Sequence, residues 1–255
     1  MDDLVSRALD LAEVQGAGYA DIRIVRTSQE RISVRSGVVD TLSFDESLGF
    51  GVRVLVNGCW GFASSHDITS KEVDRVTALA VNIAKASATL SKGAVNLGPP
   101  VTSRGTYTTP IEEDPFTIST DHKLALLMDA DQRMASVKGI RSRQGNLIFV
   151  KEEKTFANNE GAHVEQTVYE AGGGISANAV GNNEIQRRSY PQSMGRQQGC
   201  AGWEYITAMD LPGNAERVAI EAVALLTADP CPSNIVTDII IGSAQLALQI
   251  HESCG

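Results

Sequence analysis

Two strand-like runs that meet at Asn57-Gly58 constrain this chain more than any other feature. Gly49-Phe50-Gly51-Val52-Arg53-Val54-Leu55-Val56 leads into the dipeptide, and Cys59-Trp60-Gly61-Phe62-Ala63 leads out of it. Both central positions of a tight hairpin turn need positive φ, which Asn and Gly adopt with little strain. The two runs are therefore expected to be antiparallel neighbours. Upstream, Ile22 and Ile24, then Ile32 and Val34, alternate with Asp21, Arg23, Arg31 and Arg35, the pattern of strands with one wet face. A helix is expected on either side of these strands. Residues 2–15 place Leu4, Val5, Ala8, Leu9, Leu11 and Ala12 at helical spacing, with Asp2 or Asp3 to cap the start and Gly16 to stop it. From Thr69 to Ala88, Val73, Val76, Ala80, Ile83 and Ala84 share one face. Residues 1–95 thus read as a first α+β module.

The next segment is rich in Gly and Pro, including Gly98, Pro99, Pro100, Gly105 and Pro110, and reads as a linker over residues 96–113. A second α+β module is expected over 114–228. It opens with a helix at 120–137, built on Leu124, Leu127, Met128 and Met134, and continues with strands at 146–157, 163–170 and 184–190. Ala171-Gly172-Gly173-Gly174 has neither the Lys and Ser/Thr of a P-loop nor the order of a dinucleotide fingerprint, and reads as a bulge or bend. A helix at 214–227 turns Val218, Ala219, Ala222, Val223 and Leu226 inward. After Pro230 and Pro232, the β-branched run Ile235–Ile241 predicts a strand, and Ser243 is placed to cap a helix that begins at Ala244. Residues 229–255 are read as the beginning of a third domain. The fold class is α+β: two modules of mainly antiparallel sheet with packed helices, plus that start.

Charge and composition exclude some functions. The net charge of −9 argues against nucleic acid held through its phosphates, which calls for a basic face. No apolar run approaches the length of a membrane span, and Met1-Asp2-Asp3-Leu4 lacks the layout of a signal peptide. Cys59, Cys200, Cys231 and Cys254 form no CxxC pair, so free thiols in a reducing cytoplasm are expected.

The chemistry sits on the helix that begins at Ala244. Leu246, Leu248 and Ile250 are followed by His251-Glu252 and then Ser253-Cys254-Gly255. A His followed directly by a Glu on a helix is how several metallopeptidases present one metal ligand and one general base. Alone the dipeptide is a weak signal, and by itself it favours a solvated helix end. Cys254 lies three residues after His251, roughly on the same face, but zinc takes three or four protein ligands and no other residue nearby completes the set. Cys59 beside Trp60 reads as hairpin packing, and Cys200 and Cys231 as small buried or loop residues. His66 reads as a helix entry, and His122 and His163 have no second ligand close in sequence.

Three stretches make the pattern specific. Ser47-Leu48-Gly49-Phe50-Gly51-Val52-Arg53-Val54, continuing to Gly58-Cys59-Trp60-Gly61-Phe62-Ala63-Ser64-Ser65, resembles the first domain of the TldD/PmbA family. The helix Glu216-Arg217-Val218-Ala219-Ile220-Glu221-Ala222-Val223-Ala224-Leu225-Leu226 resembles the one before that family's third domain. Ile250-His251-Glu252-Ser253-Cys254-Gly255 resembles the start of its His-Glu-x-x-Gly-His motif. Helical positions five apart lie ~140° apart in projection, so the family spacing needs the helix to end before the second His, and Gly255 stands where that can happen.

The resemblance implies a zinc metallopeptidase acting on unfolded or small peptides, with His251 as a metal ligand and Glu252 as the catalytic base. In the family a second His and a distant Cys complete the zinc site, and this sequence contains no counterpart of either. The resemblance further implies a homodimer, or a heterodimer with a TldD/PmbA-family partner. It leaves an alternative open: a non-catalytic scaffold or partner subunit that dimerises and captures peptide, with sheet edges holding the peptide backbone.

Overall fold

The computed structural model describes residues 1–90, 93–181 and 184–255. In chain order the elements are α1 (Asp2–Val14), β1 (Tyr19–Arg35), β2 (Val38–Val56), β3 (Cys59–Ser65), α2 (Ser70–Ala88), β4 (Arg104–Thr108), α3 (Thr120–Ala135), β5 (Ile140–Asn158), β6 (His163–Val180), β7 (Ile185–Tyr190), β8 (Gln197–Gly199), α4 (Trp203–Met209), α5 (Leu211–Ala224) and α6 (Ser243–Cys254). The strands hydrogen-bond in the order β3-β2-β1-β5-β6-β4, and β7 and β8 also pair with β6. The β2–β3, β6–β7 and β6–β8 pairs are antiparallel, and β4–β6 is parallel. This is the mainly antiparallel α+β architecture expected. The long strands distribute their residues between two compact units: Met1–Gln29, Phe44–Pro110 and Val150–Tyr169 form one, and Glu30–Ser43, Ile111–Phe149 and Glu170–Gly255 the other.

In the first unit Asn57 and Gly58 take φ of 50° and 77° and set the register from Val56 opposite Cys59 to Phe50 opposite Ser65. With a period of two, Val52, Val54 and Val56 face the core, joined by Ile22 and Ile24. Val5, Ala8 and Ala12 of α1 and Val73, Val76, Ala80 and Ala84 of α2 cover them. Full burial of one such Val or Ile side chain stabilises by about 1.5–3 kcal/mol. Gly61 makes the helix–strand contact possible, because a Cβ there would collide with the carbonyl oxygen of Ala80 and the amide of Ala84. Ile83, expected inward, is exposed; it lies one step off the stripe that the small residues define.

In the second unit α3 and α5 pack on the β1, β5 and β6 residues Ile32, Val34, Leu147, Phe149, Ala171 and Ile175. Lys123 of α3 lies on the buried face with Leu127, Ala130 and Met134. Its ammonium is 2.5 Å from Glu30 and 4.8 Å from the centroid of the Phe149 ring. A charge this deep is tolerated only because it is paired.

Several local expectations are corrected. Ala171–Gly174 is neither a bulge nor a bend but lies inside β6. A Cβ at Gly174 would collide with the carbonyl of Gly195, and one at Gly173 would meet Leu147 and Ile206, so these glycines let neighbours approach both faces of the strand. Ile235–Ile241 forms no strand. Val236 and Ile240 are fully exposed, and among the described residues no strand pairs with this run, so β-propensity alone leaves it irregular. Ser243 is the first helical residue of α6 rather than its cap, which is Gly242, and α1 is capped by Met1 without a side-chain bond rather than by Asp2 or Asp3.

Candidate metal centre

His251 and Glu252 occupy the last turn of α6, a helix of 12 residues. Gly242 starts it in extended conformation, and its carbonyl accepts from the amides of Gln245 at 3.1 Å and Leu246 at 2.9 Å. The Gly255 amide donates to the His251 carbonyl at 3.0 Å, so the helix closes one residue after Cys254. Adjacent helical positions point about 100° apart, which sends the imidazole and the carboxylate to different sides. Both are exposed, and among the described residues neither side chain has a hydrogen-bond or ion-pair partner. No residue of α6 is buried.

Metal fit can be judged from the donors this chain supplies. His251 offers one imidazole ligand, whereas catalytic zinc sites use three protein ligands. Cys254 is exposed one turn away, and among the described residues no third donor is grouped with the two. The residues present therefore do not constitute a metal site. Among the described residues, the group of donors that the fold assembles elsewhere is Asp2, His163 and Glu165, whose ligand atoms lie within 4.8 Å of one another. His163 Nε2 is 4.0 Å from a carboxylate oxygen of each. His163 therefore does have a candidate donor close in sequence, Glu165 two residues on along β6, while Asp2 meets it only through the docking of α1. All three are surface side chains, and Asp2 is 78% exposed.

The other sequence candidates lie elsewhere in the fold. The His122 ring meets Trp203 edge-on at 5.7 Å, and Cys59 is buried in the hairpin while Cys200 and Cys231 are exposed. His66 lies just before α2. Around the hairpin, Arg53 donates to buried Asp21 at 2.6 and 2.9 Å and lies 4.6 Å over the Trp60 ring, which Tyr19 meets edge-on at 5.8 Å. Burial, and then the Asp21 charge, push the Tyr19 hydroxyl above its ordinary pKa. This hairpin is a packed assembly whose polar groups are already engaged.

Residues 20–84 match the family domain described as PmbA/TldA metallopeptidase domain 1, and residues 113–227 match its central domain. The chain belongs to the PmbA/TldD metallopeptidase family. A Methanothermobacter thermautotrophicus metalloprotease is 28% identical over 237 residues, covering 93% of this chain and 49% of that protein. A metalloprotease of Methanocaldococcus jannaschii is 25% identical over 241 residues, with 93% and 51% covered. The chain thus spans about half the length of the curated relatives it matches. A crystal structure of a proposed modulator of a DNA gyrase from Thermotoga maritima superposes with a TM-score of 0.65 at 15% identity, over 91% of this chain and 50% of that one. TldE from Thermococcus kodakarensis gives 0.64 at 15% identity, over 86% and 47%. At that identity the two structures speak for a shared fold. Among the described residues no helix is long and apolar enough to cross a membrane.

Proposed function

We propose that this PmbA/TldD-family chain is the N-terminal part of a TldD-like zinc metallopeptidase that hydrolyses peptide bonds in unfolded or small peptides. The observation that carries the reading is His251-Glu252 at the end of α6, directly after two domains matched to a metallopeptidase family in a chain aligned to metalloproteases over 93% of its length. His251 is assigned as a zinc ligand and Glu252 as the base. The unpartnered Glu252 carboxylate is free to accept a proton from water, the general-base role. In this reading residues 1–95 and 114–228 are the scaffold modules, 96–113 joins them, and 229–255 begins the metallopeptidase domain. The protein works in the cytoplasm as a homodimer or with a family partner.

The test uses a protein extended to the length of the curated relatives. His251→Ala is expected to abolish both bound zinc and hydrolysis of an unfolded substrate. Glu252→Ala is expected to keep the zinc and lose roughly a hundredfold or more in turnover, the scale of a positioned base. Metal analysis and a peptide-cleavage assay read the two outcomes separately. Zinc retained by His251→Ala, or turnover retained by Glu252→Ala, would replace this reading with the non-catalytic scaffold.

A further inference from the structure

The second unit has a groove of about 580 Å³ lined by Arg31, Arg187 and Arg196 together with Ser33, Gln144 and Asn146. It lies on the sheet face turned away from the helices. Ile32 and Val34 of β1, and Leu147 and Phe149 of β5, belong to the helix-covered core, so Arg31, Ser33, Gln144 and Asn146, which alternate with them, project the other way. Among the described residues none of the three guanidiniums is paired with a carboxylate, although the chain as a whole carries a net charge of −9. The acid tied to the lining, Asp40, is already engaged: it accepts from Ser33 Oγ at 3.2 Å and stands 3.5 Å from Arg35.

The wall that carries Arg196 is held in place. Gly195 donates its amide to the Gln192 carbonyl at 3.0 Å, and that carbonyl also accepts from Ser189 Oγ at 2.7 Å. Gln192 Nε2 donates to the Arg196 carbonyl at 2.8 Å, and Asn146 Nδ2 to the Gly195 carbonyl at 3.5 Å. Arg187 lies against this turn, since a Cβ at Gly195, where φ is +83°, would come within 2.8 Å of its guanidinium. Two arginines are thus set around a fixed turn and a third projects from β1, with neutral donors and acceptors between them. Guanidiniums bind carboxylates through paired N–H donors, the Gln144 amide in the lining suits a peptide backbone, and ordering the wall in advance lowers the cost of binding.

We propose that this groove binds a carboxylate-bearing peptide segment, as a capture site separate from the bond-breaking residues. The choice of a peptide rests on the metallopeptidase reading above; the choice of an anion rests on the groove alone. The experiment titrates the 255-residue chain into a dye-labelled unstructured peptide with three Glu residues, its counterpart with three Gln, and a labelled single-stranded oligonucleotide, following fluorescence anisotropy. The Glu peptide is expected to bind roughly tenfold or more tightly than the Gln peptide, and to weaken as salt rises. Replacing Arg31, Arg187 and Arg196 together by Gln is expected to remove that preference, while Arg133→Gln, on the surface of α3, leaves it unchanged. Circular dichroism of each variant separates lost binding from lost folding, and the three single Arg→Gln variants, each expected to weaken the Glu peptide severalfold, serve if the triple variant unfolds. Equal binding of the Glu and Gln peptides, tighter binding of the oligonucleotide, displacement of the Glu peptide by inorganic phosphate at concentrations that do not displace it in matched chloride, or variants that bind as well as the parent would each overturn the proposal. Because the readout is binding without hydrolysis, failure here leaves the zinc and turnover tests standing, and failure there leaves this site standing.

Discussion

Helices α5 and α6 are similar in length, 14 and 12 residues, and both carry apolar side chains at helical spacing. α5 buries Leu211, Ala215, Val218, Ala219 and Ala222, and the Arg188 and Arg217 guanidiniums clamp Glu221 on its outer side at 2.6 and 2.7 Å. α6 buries nothing, and Leu246, Leu248 and Ile250 are exposed. An apolar stripe reports a capacity to pack, and the burial itself comes only from a partner surface. An isolated helix of this length is marginal in water, so α6 has little of its own to fix the direction of His251 and Glu252.

The comparison breaks most directly if equivalent insults to the two helices cost the same. Val218→Asp places a charge in the core beneath α5 and is expected to remove about 3–5 kcal/mol, or to leave the chain unfolded. Leu246→Asp on α6 is expected to stay within about 0.5 kcal/mol of the parent. Urea denaturation of both variants decides it, and a comparable loss from Leu246→Asp would mean that α6 packs after all.

A second change probes what holds a helix face down when one of its positions is charged. Lys123→Met leaves Glu30 buried without its partner and is expected to cost about 3–5 kcal/mol, whereas Lys123→Met with Glu30→Leu recovers most of the loss. The double variant's denaturation midpoint separates a pairing effect from a volume effect.

The smallest effect concerns helix starts. α2 has Thr69 accepting from the Glu72 amide at 3.3 Å, while α6 has no side-chain cap and no acidic residue in its first turn. The Arg75 guanidinium, then the Ser65 hydroxyl, hold the Glu72 carboxyl down to about 2, against 4.5 ordinarily. A carboxyl that titrates lower in the folded state contributes fully above its unfolded value and loses that contribution as pH falls toward 2. Glu72→Gln is therefore expected to destabilise slightly at pH 6 and not at all near pH 2, and thermal melts at the two pH values check the sign.

Legibility followed the availability of partners. The hairpin at Asn57-Gly58, the alternation of Ile22, Ile24, Ile32 and Val34, and the stripe of α5 were readable because short-range pattern and final burial agree there. Lys123 was not, because its position on the α3 stripe with Leu127, Ala130 and Met134 signals burial while its charge signals solvent; only Glu30, 93 residues away, resolves the conflict. The glycines of β6 were misread for a similar reason, since their role depends on what crosses the strand at Gly195. Ile235–Ile241 has strand propensity with nothing to pair with. For the candidate site, His251 and Glu252 were visible as a dipeptide, whereas the arginine groove draws on β1, β7 and the turn before β8, which no local motif joins.

The central claim is that, under the proposed assignment of His251 as a zinc ligand and Glu252 as the base, this chain alone holds zinc poorly: among the described residues no further donors are grouped with His251. Metal analysis of the purified, dialysed chain beside a protein extended to the length of the curated relatives tests it directly. The expected result is far less than one zinc per chain for the former and about one for the latter, because catalytic sites take three protein ligands. A full equivalent of zinc on the 255-residue chain, lost in His251→Ala and kept in His163→Ala, would contradict the claim.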